Sequence, residues 1–127
     1  MPYDVELRHD SPVLLVTVSG GFSLEDFMQV TERVRAILDS QPTSLFHITD
    51  FTNSEIPLDE MMVGASEVAR SEVSLFSHPN IRENIFITGS EYMARVADGL
   101  NTEPFGNVPV SVFSSLADAL EYVEQQT

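Results

Sequence analysis

The sequence predicts an α/β domain: a mixed, mostly parallel sheet of four to five strands with an N-terminal β-hairpin and about four helices. Three observations carry that expectation. Short apolar runs at 13–19, 45–50, 84–88 and 110–113 have the length and β-branched content of strands. Helical apolar periodicity follows them, opened by Ser23, Pro57, Ser90 or Ser115. Strand and helix patterns then alternate along the chain, as parallel sheets require. At 127 residues and 43% apolar content, the chain fits one domain over 1–127, burying roughly two-thirds of its unfolded surface.

Each element has its own local reason. Tyr3, Val5 and Leu7 alternate with Asp4, Glu6 and Arg8, so the first strand has one polar face and suits a sheet edge. The turn His9-Asp10-Ser11-Pro12 leads into Val13-Leu14-Leu15-Val16-Thr17-Val18, a run apolar enough to be covered on both faces and close enough to the first strand for a hairpin. Ser23 with Asp26 three residues on makes a capping box, with Asp in the place of the usual Glu or Gln. A helix over 24–39 follows, with Leu24, Phe27, Met28, Val30, Val34, Ile37 and Leu38 on its stripe. Glu25 and Asp26 near its start and Arg33 and Arg35 later complement its dipole.

The strand at 45–50 closes on Asp50, with a loop expected over 51–56. Pro57 starts a second helical stripe of Leu58, Met61, Met62, Ala65, Val68 and Ala69. Methionines at helical spacing read as core filling. A connection over 71–83 contains Phe76 and His78-Pro79-Asn80, and the strand Ile85-Phe86-Ile87-Thr88 turns through Gly89-Ser90-Glu91 into a short helix carrying Tyr92, Met93, Val96 and Leu100. The loop 102–109 precedes a last strand over 110–113, and Ser115 with Asp118 caps a final helix facing Leu116, Ala119, Leu120 and Val123 inward.

Charge narrows the functional classes. Six Lys and Arg against twenty Asp and Glu give a net charge of −14, and the scattered arginines form no basic stripe, so no nucleic-acid partner is expected. There is no apolar run of eighteen residues for a membrane span, and the start Met1-Pro2-Tyr3-Asp4 lacks a signal peptide's basic end and apolar centre; a cytoplasmic protein is the expectation. The absence of cysteine removes disulfides, thiolate metal sites and cysteine nucleophiles.

Catalytic patterns are equally sparse. Gly20-Gly21-Phe22-Ser23 is not a dinucleotide fingerprint, and neither a phosphate-binding loop nor G-x-S-x-G occurs. His9 and His78 fall in a turn and a loop and are expected to be exposed. His47 lies in an apolar strand near Asp50, where a carboxylate could orient a general base. Positions three apart on a strand point to opposite faces, however, so a hydrogen-bonded structural histidine is expected. No metal-ligand spacing is present, and Glu55, Asp59 and Glu60 read as charge at a helix start. No enzyme activity and no cofactor are expected.

In such a sheet the strand-to-helix turns gather at the carboxyl ends of the strands, the rim where α/β folds keep their sites. Asp50, Thr52, Ser54, Asp59, Glu60 and Ser90 are the candidate residues on it.

The order of elements resembles the STAS domain, the anti-sigma-factor antagonist fold, and the small bacterial SpoIIAA-like proteins grouped with lipid-binding SEC14-like domains. Three stretches carry the resemblance: Val16-Thr17-Val18-Ser19-Gly20-Gly21-Phe22-Ser23-Leu24-Glu25-Asp26-Phe27, then Ile48-Thr49-Asp50-Phe51-Thr52, similar to a strand-ending D-L-S, and residues 112–123 as the terminal helix. The resemblance implies a non-catalytic regulatory or protein-interaction module with a protein partner. Its alternative is a carrier of a small apolar ligand, with a pocket lined by Phe51, Met62, Phe76 and Phe105. It also implies a phosphorylated serine at the helix after D-L-S. Counting without gaps from Asp50, that stretch falls on Leu58-Asp59-Glu60-Met61, so acids stand in place of the acceptor and Thr52 or Ser54 are the remaining hydroxyls. A homodimer has two candidate contacts, the edge strand at 3–8 and the loop at 105–109.

Overall fold

The computed structural model describes residues 3–8, 11–21, 23–54, 78–100 and 110–126. Five strands, β1 (Tyr3–Leu7), β2 (Val13–Gly20), β3 (Leu45–Ser54), β4 (Ile81–Ile87) and β5 (Val110–Phe113), lie side by side in chain order. The first pair is antiparallel and every later pair parallel, the mixed sheet expected. Helices α1 (Leu24–Ser40), α2 (Glu91–Leu100) and α3 (Leu116–Gln126) flank it. The helix predicted over 57–69 lies outside the described residues, as do His9, Phe76 and Phe105.

Alternation along the strands divides the core in two. Leu14, Val16 and Val18 face α1 and meet Val30, Val34 and Leu38. Val13, Leu15, Phe46, Ile48, Ile85 and Ile87 occupy the other face and meet Ala119 and Val123 of α3. Residues 13–16 of β2 are therefore buried without a break, because each face of the strand has a helical layer over it. Fully burying side chains of this size contributes about 1.5–3 kcal/mol each. On α2, Met93 and Ala97 are buried.

The start of α1 is held as its sequence predicts. Ser23 Oγ accepts from the Asp26 amide at 3.1 Å and Asp26 Oδ2 accepts from the Ser23 amide at 3.0 Å, so a shorter acid completes the capping box. The predicted dipole pairing at its other end does not occur: α1 runs to Ser40 and its last turn holds no basic residue. Arg33 and Arg35 stand too far from the terminus for an effect confined to the last turn.

Four further sequence expectations need correction. β3 does not end at Asp50. Its ladder with β2 resumes at Ser19↔Asn53 and Gly20↔Ser54, so Phe51, Thr52, Asn53 and Ser54 belong to the strand rather than to a loop. β2 correspondingly reaches Gly20, whose φ of +59° places it in the left-handed region that glycine tolerates, at the turn toward α1. β4 begins at Ile81, three residues earlier than the apolar pattern indicates, because Arg82, Glu83 and Asn84 find polar partners. His78 is buried rather than exposed, for the reason given below.

Candidate functional site

The parallel register fixes which residues share the carboxyl rim. Thr17 of β2 pairs with Asp50 of β3, Asp50 with Ile87 of β4, and Ile87 with Phe113 of β5, forming one row across the sheet. Everything one to four residues beyond that row emerges at the same pole. Thr52, Asn53, Ser54, Thr88, Gly89 and Ser90 are brought together there, with Gly20 paired to Ser54. Of the sequence candidates, Asp50, Thr52, Ser54 and Ser90 meet on this rim, while Asp59 and Glu60 lie outside the described residues.

A bulge shapes the rim. Between the pairs Thr17↔Asp50 and Ser19↔Asn53, one residue of β2, Val18, stands opposite two of β3, Phe51 and Thr52. Such an insertion twists a strand and releases a backbone amide from the ladder. Asp50 takes up the consequence: its Oδ1 accepts the Thr52 amide at 2.9 Å and the Thr52 hydroxyl at 2.5 Å. Ser54 Oγ donates to the Phe51 carbonyl at 2.8 Å. Across the rim, Thr88 Oγ1 accepts the Ser90 amide at 3.0 Å, and Ser90 Oγ caps the amide of Met93 in the first turn of α2. Thr52, Asn53, Gly89 and Ser90 are exposed, whereas Phe51 turns inward and meets Phe86 edge to face, with centroids 5.1 Å apart.

His47 is a structural residue, as expected. It lies on the face opposite Phe46 and Ile48 and hence opposite Asp50, fully buried, with Nδ1 3.1 Å from Asn84 Oδ1 on the neighbouring strand. With Asn84 presenting its carbonyl oxygen, the imidazole donates from Nδ1. Burial lowers its pKa from 6.5 to about 4, the Asn84 hydrogen bond opposing that shift in part, so the ring is neutral at pH 7.

His78 and the Glu83 group lie toward the opposite pole. His78 Nε2 and Asp39 Oδ1 are 2.7 Å apart, and Nδ1 accepts the Asn80 amide at 3.0 Å. The loop His78-Pro79-Asn80 thus docks on the end of α1, and docking buries the ring. Glu83 accepts from Tyr122 Oη and Ser111 Oγ at 2.8 and 2.7 Å; the bond to this carboxylate raises the tyrosine pKa. Sequence reasoning named neither Asn80 nor Asn84 as a partner, since neither pairing shows in local periodicity.

Among the described residues no group of three or more His, Asp or Glu side chains converges as a metal site, and no helix is long and apolar enough to cross a membrane.

The chain has the SpoIIAA-like fold, the architecture of STAS domains. No known protein family and no curated protein matches its sequence. Solved structures similar to it include an uncharacterized protein of the DUF3478 family with a SpoIIAA-like fold from Shewanella loihica PV-4, with 17% identity, 95% of this chain and 91% of that one covered, and a TM-score of 0.59. The anti-sigma factor antagonist SpoIIAA in its unphosphorylated form is 13% identical over 96% and 97% of the two chains, with a TM-score of 0.65. An anti-sigma factor antagonist from Mycobacterium paratuberculosis is 19% identical over 96% and 92%, with a TM-score of 0.52.

Proposed function

We propose that this chain is a non-catalytic regulatory module of STAS type that meets a protein partner through the rim bearing Asp50, Thr52, Ser54, Asp59, Glu60 and Ser90. The observation that carries the reading is the row Thr17–Asp50–Ile87–Phe113, which sets Asp50, Thr52, Ser54 and Ser90 at one pole. Exposed hydroxyl and amide groups there suit hydrogen bonding to a protein surface. The anti-sigma factor antagonists of similar fold support a regulatory role. The chain acts in a bacterial cytoplasm, without the usual serine phosphorylation, because Asp59 and Glu60 occupy the acceptor's place by ungapped count. For the carrier reading, Phe51, one of the residues that would line its pocket, packs edge to face on Phe86.

The test is affinity capture followed by reconstitution with the purified partner. Asp59→Lys weakens binding at least tenfold, while Thr43→Lys, a change at an exposed position of the opposite pole, leaves it unaltered. Equal binding by both variants would overturn the assignment of the rim. Native mass spectrometry separates the carrier, which would retain a ligand mass through purification.

A further inference from the structure

We draw no further inference here: the strongest candidate, the uncharged outer edge of β5 where Val112 stands 37% exposed, is a sheet edge for which nothing among the described residues shows what covers it.

Discussion

Asp50 Oδ1 accepts both the amide and the hydroxyl of Thr52, and so holds the bulge that turns β3 toward the rim. Removing the carboxylate strands an amide already taken from the ladder. Asp50→Ala is expected to lower stability by about 1 kcal/mol, below the roughly 1.5–3 kcal/mol typical of a hydrogen bond to a charged group because the site is wet. Asp50→Asn, which retains an acceptor, loses less. Urea denaturation measures the difference, and hydrogen exchange at the Thr52 amide should accelerate in the alanine variant alone. Unchanged exchange there would mean that the bulge is held by the strand pairing itself.

His47 makes folding stability depend on pH. Its pKa falls from 6.5 to about 4 on folding, so the unfolded chain binds a proton in that window that the folded chain refuses. This contribution is complete above pH 6.5, is lost as the pH drops toward 4, and then levels off. The slope is about 1.4 kcal/mol per pH unit, or about 2 kcal/mol between pH 7 and pH 5. Denaturation of the wild type and of His47→Gln at both pH values isolates the histidine from the carboxylates, which titrate in both proteins. Imidazole NMR shifts that remain neutral to pH 5 provide a check independent of the variant's folding. An inflection near 6.5 would contradict the burial argument.

Both findings mark where the sequence was legible. Period-two alternation and the Ser23–Asp26 spacing are local, so the strands and the start of α1 could be read directly. The extension of β3 past Asp50 could not, because Thr52, Asn53 and Ser54 are polar and their strand geometry comes from Ser19 and Gly20 on β2. Likewise the polar start of β4 is stabilised by residues 28 to 44 positions away, among them Ser111, Tyr122 and Gln126. Topology placed Asp50 and Ser90 on one rim in advance, since strands running in one direction share an end. The bulge and its capping by Asp50 depended on register, which apolar pattern leaves undetermined to one residue.

The burial of His78 follows from Asn80, which leads to a third expectation. Asn80 Nδ2 donates to the Leu38 carbonyl at 2.7 Å and more weakly to that of Gln41, both at the end of α1, while its own carbonyl accepts the Leu45 amide at 2.7 Å. The side chain thereby adds a second donor to the Leu38 carbonyl, which also accepts the Gln41 amide at 3.3 Å, and ties the end of α1 to the start of β4. Asn80→Ala is expected to cost about 1 kcal/mol, through loss of the shorter of the two hydrogen bonds that the Leu38 carbonyl accepts. Thermal or urea denaturation reads this directly. Asn80→Asp should cost at least as much, because it replaces the donor with an acceptor facing carbonyl oxygens; a neutral effect of both changes would show that water replaces the amide without loss.

Thr52 gives the sharpest test of whether a negative charge is tolerated at this point of the rim. Its hydroxyl donates to the Asp50 carboxylate, so Thr52→Val removes one charge-assisted bond and keeps the β-branched shape that suits a strand. Thr52→Glu removes the same bond and adds a second carboxylate two residues from the first. The glutamate variant is therefore expected to be less stable than the valine variant by about 0.5–1 kcal/mol at low salt, with the gap narrowing as ionic strength rises. Urea titrations of both variants in 20 and 500 mM salt decide the matter. If Glu proves as stable as Val, Asp50 does not oppose charge at position 52, and Thr52 becomes an acceptable place for a phosphate-operated switch. A salt-sensitive deficit instead means that phosphorylation here would work against the bulge.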